Sequence, residues 1–211
     1  MRLPNPPLLV ISDRHQARQP LEQVAEAVFA GGCRWFSLRE KDLPPEERRT
    51  LLGDLVALGH RYGAVVTVHE DLEAVVAARA DGIHLPSGGS SEAARARAPG
   101  ALIGASAHSA DEAAALLRAG ADYVTLSPVF LTASKPGYGP ALGLDGLERI
   151  VAEVQGPVVA LGGITAQNAA LCLSAGARGV AIMGEVMRSA DPRAMVEHVL
   201  SVMDITPSRQ Y

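Results

Sequence analysis

Residues 158–184 read VVALGGITAQNAALCLSAGARGVAIMG. An apolar run from Val158 to Leu161 stops at Gly162-Gly163, and a stretch of helical periodicity follows from Thr165 to Ser174. Ala175-Gly176-Ala177-Arg178 then leads into a second apolar run, Gly179 to Ile182, which stops at Met183-Gly184. Two short apolar runs joined by one helix make a βαβ unit, because parallel neighbours need a crossover and a helix supplies it.

The same alternation fills the rest of the chain. Candidate strands are Leu8 to Ser12, Trp35 to Leu38, Val65 to Val68, Gly82 to Leu85, Leu102 to Ser106 and Tyr123 to Ser127, which with the two above makes eight. Helices are expected from Leu21 to Ala30, Glu46 to Arg61, Asp111 to Arg118 and Gly143 to Val154, with a last one from Pro192 to Met203. Eight strands alternating with helices predict an α/β fold, a single-domain (β/α)8 or TIM barrel, near the short end of that barrel's range. A degenerate repeat supports the count: Ala30-Gly31-Gly32-Cys33, Arg79-Ala80-Asp81-Gly82, Ala119-Gly120-Ala121-Asp122 and Ala175-Gly176-Ala177-Arg178 each precede a strand. Glycine there ends the helix in the left-handed conformation without a Cβ penalty, which gives these glycines a structural role. No linker divides the chain, so the barrel is expected over 1–203 and a loose tail over 204–211.

Composition narrows the function classes. The 211 residues are 48% hydrophobic and 20% charged, with a net charge of -4 and scattered lysines and arginines. That fits one domain with a real core and gives no basic face for nucleic acid or membrane. Cys33 and Cys172 form neither a disulfide framework nor a zinc spacing, so a reducing cytoplasm is the simplest setting. The apolar run from Leu8 to Ile11 is too short for a signal-peptide core or a span, and neither export nor anchoring is expected. A homodimer is left open.

In this fold the chemistry sits on the loops that follow the strands. After the second strand, Arg39 and Lys41 flank Glu40. Arginine can hold a phosphate in a two-pronged fork and lysine adds a point charge; the alternative is a solvated rim with a salt bridge. After the third come His69-Glu70-Asp71, able to act as acid, base or metal ligand. Glu70, Asp71 and Glu73 equally suit the first turn of a helix, and His69 lies nearest the strand end. The fifth exit carries Ser106 and His108, followed by a capping box from Ser109 to Glu112. The sixth carries Thr132, Ser134 and Lys135 in a glycine-containing loop that either closes over an anion or is merely flexible. Gly162 and Gly163 after the seventh strand, with Met183 and Gly184 after the eighth, suit a cup of backbone N–H groups for phosphate. The expected partner is a small phosphorylated molecule.

From Leu8 to about Pro192 the chain resembles the thiamine phosphate synthase and TenI superfamily. The resemblance is carried by Leu38-Arg39-Glu40-Lys41, Ala80-Asp81-Gly82-Ile83-His84, Gly104-Ala105-Ser106-Ala107-His108, Pro128-Val129-Phe130 with Thr132-Ala133-Ser134-Lys135, and Leu161-Gly162-Gly163-Ile164. It implies thiamine biosynthesis and a phosphorylated thiazole as ligand, with Thr132, Ser134, Lys135, Gly163, Met183 and Gly184 at the matching positions.

Departures separate the branches. Members that join a pyrimidine diphosphate to the thiazole phosphate typically read Gln-Leu-Arg-Glu-Lys, Asn-Asp-Arg and Gly-Gln-x-Asp where this chain has Ser37-Leu38-Arg39-Glu40-Lys41, His69-Glu70-Asp71 and Pro86-Ser87-Gly88-Gly89. One carboxylate is lost and another lengthened, which weakens a magnesium site. Leu85-Pro86-Ser87-Gly88 looks instead like the TenI branch, which implies a metal-independent thiazole tautomerase, an isomerase without cofactor. That branch tends to carry a histidine where this chain has Pro128, so His69 is the expected proton carrier, with Glu40 and His108 behind it. The alternatives are a magnesium-dependent synthase, a transferase with Glu70 as metal ligand, and a non-catalytic thiazole-phosphate binder of regulatory kind.

Overall fold

The computed structural model of the protein describes residues 3–132 and 140–204. Its strands are β1 (Leu8–Ile11), β2 (Trp35–Leu38), β3 (Val65–His69), β4 (Gly82–Leu85), β5 (Leu102–Ala107), β6 (Tyr123–Leu126), β7 (Val158–Leu161) and β8 (Gly179–Ile182). The helices are α1 (Leu21–Ala30), α2 (Pro45–Arg61), α3 (Leu72–Ala78), α4 (Ser91–Arg97), α5 (Ala110–Arg118), α6 (Gly143–Glu153), α7 (Ala166–Ser174), α8 (Gly184–Met187) and α9 (Pro192–Asp204). The strands pair in chain order and close into a barrel. Every pairing is parallel, and β8 meets β1 with Val180 beside Leu8. This is the single-domain (β/α)8 barrel that the strand count predicts.

Side-chain alternation along each strand divides the interior in two. Leu9, Ile11, Trp35, Leu102, Tyr123, Val159 and Ala181 fill the barrel lumen. Their neighbours, among them Leu8, Val10, Phe36 and Val180, pack outward against the helices. The two large rings in the lumen, Trp35 and Tyr123, meet edge to face with centroids 4.7 Å apart. Gly104 makes room for Tyr123, since a Cβ there would collide with its Cζ and its hydroxyl.

The repeated turns carry the expected left-handed residue: φ is +100° at Gly32, +100° at Gly120 and +96° at Gly176. In the fourth turn that conformation is held by Arg79, at φ +52°. Three helices not anticipated from periodicity, α3, α4 and α8, have seven, seven and four residues, too short to show two full periods. Caps start the first two: Asp71 accepts from the Ala74 N–H at 2.8 Å and Ser90 from the Ala93 N–H at 3.1 Å. The last helix runs through Asp204, one residue into the expected tail, and 205–211 lie outside the described residues. Cys33 and Cys172 are buried free thiols. Among the described residues no helix is long and apolar enough to cross a membrane.

Candidate active site

A cavity of about 560 Å³ opens at the C-terminal mouth of the barrel. Of the residues expected from the sequence, Arg39, Lys41, His69, Glu70, Ser106, His108 and Thr132 line it, together with the glycines after β7 and Met183-Gly184 after β8. Ser134 and Lys135 lie outside the described residues.

Glu40 is not among the lining residues. Its side chain turns into the wall, where one oxygen accepts from Ser12 Oγ at 2.7 Å and from the Arg14 N–H at 3.1 Å, and the other from the Arg14 guanidinium at 3.1 Å. Ser12 Oγ in turn accepts from the Arg39 N–H at 2.8 Å. A buried carboxylate satisfied in this way ties the β1 exit to the β2 exit and fixes the backbone from which Arg39 and Lys41 reach the cavity. Among the described residues the Arg39 guanidinium has no carboxylate partner, whereas Lys41 pairs with Glu70.

The floor of the cavity is a stack of two imidazoles. His69, the last residue of β3, lies over His84 of β4 with ring centroids 4.6 Å apart. Beneath it, His84 Nδ1 is 3.1 Å from the Tyr123 hydroxyl, and its Nε2 is 3.1 Å from Ser106 Oγ and 3.3 Å from Thr125 Oγ1. Burial, with the cations Arg39 and Lys41 adding to it, lowers the His84 pKa to about 3. Burial likewise pushes the Tyr123 phenol far above its ordinary range. His69 is held well below the usual histidine range by burial first, then by His84, Arg39 and Lys41. Its Nε2 is shielded from solvent and has no hydrogen-bond partner among the described residues. Both rings are therefore neutral at physiological pH. At the β5 exit, His108 donates from Nδ1 to the Ser127 carbonyl at 2.7 Å. Glu112, the far end of the expected capping box, accepts from the His108 N–H at 2.7 Å.

Gly162 and Gly163 have φ of +97° and +62°, a conformation that favours glycine. A second constraint acts on them: the β6 exit loop lies against both, so a Cβ on Gly162 would meet Pro128 Cα at 2.9 Å. Main-chain bonds hold that loop, from Val129 N–H to Leu161 O at 2.9 Å and from Phe130 N–H to Gly162 O at 3.0 Å. The glycine pair thus also carries the strand-six loop that leads to Thr132.

The acids beside His69 divide. Asp71 caps α3 and accepts from Arg48 at 2.7 Å; burial opposes its charge, but the Arg48 contact and the Ala74 N–H hold its pKa below the usual value. That is the helix-start reading of the sequence. Glu70, at φ +64°, remains the one carboxylate of the three that lines the cavity. Among the described residues no three histidines, cysteines or carboxylates are grouped so as to hold a metal ion. Four ionisable lining residues were not among the site candidates read from the sequence: Asp13, His84, Glu185 and Arg188. Two had signals, since His84 follows Gly82 at the strand period and Arg188 follows Gly184 by one helical turn.

A parallel barrel with a polar cavity at its C-terminal mouth defines an enzyme that acts on small molecules. Residues 8–186 match the model of the family described as thiamine monophosphate synthase. The chain belongs to this family of thiamine-biosynthesis enzymes. It is 42% identical over 196 residues to the thiamine-phosphate synthase of Methanoculleus marisnigri, covering 89% of this chain and 90% of that one. It is 33% identical over 204 residues to that of Chloroflexus aurantiacus, covering 96% and 94%. Among solved structures, the thiamine phosphate pyrophosphorylase from Pyrococcus furiosus superposes with a TM-score of 0.86 at 32% identity, over 95% of this chain and 96% of that one. These names point to the synthase side of the superfamily and not to the tautomerase branch that the departures suggest.

Proposed function

We propose that this chain makes thiamine phosphate: it joins a pyrimidine diphosphate to a thiazole phosphate, the new bond forming as the bond to the diphosphate breaks and pyrophosphate leaves with the electron pair. The observation that carries the reading is a cavity with two ends suited to anions, Arg39 with Lys41 at the β2 exit and the glycine loops at the β7 and β8 exits. A diphosphate carries more negative charge than the carboxylate of a tautomerase substrate, and two cations at the β2 exit suit it. The synthase relatives at 42% and 33% identity support the same choice.

In this reading Arg39 grips the diphosphate in a fork and Lys41 adds a point charge once Glu70 releases it. The thiazole phosphate sits in the cup of Gly163 and Gly184, with Thr132 beside it; Ser134 and Lys135, which follow Thr132 in the sequence, lie outside the described residues. Ser106 and His108 face the space between the two substrates, where they orient the rings. Glu40 is a positioning residue, acting through Ser12 and the backbone of Arg39. Magnesium is implied by the synthase class, and the donor set fits it as an ion shared with the diphosphate, since Mg²⁺ is commonly held by one or two carboxylates plus substrate phosphates and water. Glu70 would hold it, and when bound it would neutralise charge on the leaving pyrophosphate.

A metal-independent thiazole tautomerase is the second reading. It is favoured by the unpartnered, neutral His69 at the cavity floor and by the Pro86-Ser87-Gly88-Gly89 exit, which has no carboxylate. An anion arriving beside Arg39 and Lys41 would cancel two of the influences that depress His69 and so raise its basicity. One paired assay on the purified protein separates the readings. Magnesium-dependent thiamine phosphate and pyrophosphate from both substrates is the expected outcome. Isomerisation of thiazole carboxylate phosphate in chelator, with no pyrophosphate release, would establish the tautomerase instead. Tight binding of thiazole phosphate with no turnover in either assay would leave a non-catalytic binder.

A further inference from the structure

We infer that Arg188 is a side-chain ligand of the substrate's phosphate, supplying the glycine cup with positive charge that its helix ends do not give. The inference rests on the reading that the cup takes the phosphate of a thiazole phosphate.

The cup's main chain is poorer in free donors than its glycines suggest. The first amides of α7 are already taken: Thr165 N–H donates to Asn168 Oδ1 at 2.8 Å, and Ala166 N–H donates to Glu185 Oε2 at 3.0 Å. Glu185 also brings a negative charge to the cavity wall, where it would oppose a phosphate dianion. A cation is needed to offset it. Arg188 lies four residues beyond Gly184, and its N–H bonds the Gly184 carbonyl at 3.0 Å, so one helical turn returns its side chain toward the cup. The guanidinium lies directly over Gly184: a Cβ on that glycine would land on Nη1, and Cζ and Nη2 would both be 2.9 Å from it. The absence of a side chain at position 184 thus accommodates the arginine as well as a ligand.

The guanidinium is positioned before any ligand arrives. One of its nitrogens donates to Gln16 Oε1 in the β1 exit loop, and Gln16 Nε2 donates to Asp13 Oδ2 at 2.5 Å. Among the described residues Arg188 has no carboxylate partner. An arginine has five donors, and here one is used to aim the group while others remain for an acceptor in the cavity. The chemistry this geometry recognises is a phosphomonoester dianion, bound by a fork from Arg188 and by the cup's backbone.

The test is calorimetric titration of the intact protein with three probes: the thiazole phosphate, the corresponding thiazole alcohol and inorganic phosphate. Arg188→Ala is expected to weaken thiazole phosphate binding by about 10- to 100-fold, the range of a lost charge-assisted hydrogen bond, while Arg188→Lys recovers part of it. Binding of the alcohol should not change, and thermal unfolding of both variants should match the parent. If Arg188→Ala binds thiazole phosphate as the parent does, or loses the alcohol equally, the assignment is overturned and the proposed function stands. If the parent binds inorganic phosphate in an Arg188-dependent way but no thiazole phosphate, the anion site stands and the substrate reading falls. Binding of neither phosphate by the parent overturns both.

Discussion

At the N-terminal end of the barrel, Asp81 accepts from the Val66 N–H at 2.7 Å and lies 3.0 Å from His60 Nε2; Asp122 accepts from the Ile103 N–H at 2.8 Å and from Arg95 at 2.6 Å. At the C-terminal end, two arginines that line the cavity, Arg39 and Arg188, have no carboxylate partner among the described residues, and His69 keeps a shielded nitrogen with no partner among them. The first pattern is one device used twice: an aspartate ahead of a strand anchors the amide of the second residue of the strand before it and takes a basic side chain on its outer side. The second is a collection of different side chains that keep donors or lone pairs unused among the described residues. Polar groups at the N-terminal end stabilise the barrel, while those at the mouth cost stability and are complementary to a ligand.

The largest consequence is a dependence on pH that originates at the cavity floor. His84 has a folded pKa of about 3 against 6.5 for an ordinary histidine. As pH falls below 6.5 the unfolded chain takes up a proton that folded His84 refuses, so its contribution is complete above 6.5 and is lost progressively toward pH 3. His69, depressed by burial and by His84, Arg39 and Lys41, acts in the same direction. The loss attributable to His84 amounts to several kcal/mol. Urea unfolding across that range should show a steep fall in stability. His84→Gln, which can keep one bond to Tyr123 or Ser106, should reduce the slope by about one proton. An unchanged slope in that variant would show that carboxylates, not the lumen imidazole, set the acid sensitivity.

Next in size is a substitution at the opposite end. Asp122→Ala removes the acceptor of a buried strand amide and the carboxylate partner of Arg95, which keeps its bonds to the Pro99, Ala101 and Gly120 carbonyls, a loss of about 2–3 kcal/mol. For a chain of this length that corresponds to a fall of roughly 5–10 °C in Tm. Because the site lies at the other end of the barrel, kcat and KM at 25 °C should stay at parent values. A large change in KM with little change in Tm would break the division of labour between the two ends.

Much of the fold was legible in the sequence because its signals are repeated. Eight apolar runs, their spacing and the small-residue turns recur around the barrel, and an error in one is corrected by the others. The short helices α3 and α4 left little periodicity because a seven-residue helix completes only two turns; the acids Glu70, Asp71 and Glu73 marked a helix start for α3 as one of two readings, while Ser90 went unread ahead of α4. The mouth was legible residue by residue and not by pattern. Arg39, His69 and the glycine loops stand at strand exits, where position alone marks them. Glu40 stands at the same kind of position, and the sequence could not show that Ser12 and Arg14 of a distant loop hold it in the wall. Arg188 was hidden for the converse reason: it lies past the exit and returns only because a one-turn helix intervenes.

A pair of glycine substitutions compares the two ends on equal terms. Arg79, in a turn at the N-terminal end, and Glu70, at the mouth, are non-glycine residues held at positive φ, +52° and +64°. The left-handed conformation costs an ordinary residue roughly 1–2 kcal/mol, and glycine's greater freedom in the unfolded chain offsets part of the gain from replacing it. Arg79→Gly and Glu70→Gly are each expected to raise stability by about 0.5–1 kcal/mol. The exposed Lys41–Glu70 pair subtracts little in the second case. Three of the four repeated turns already have glycine at the Arg79 position, so that change should leave turnover untouched. Glu70→Gly should instead raise KM for the pyrimidine diphosphate by about 10-fold, as expected for one lost charge-assisted contact. If both variants keep parent kinetics, the strain at Glu70 has no functional counterpart and its metal-holding role falls. If Arg79→Gly alone alters KM, the N-terminal end reaches the site through a path that the contrast between the ends does not contain.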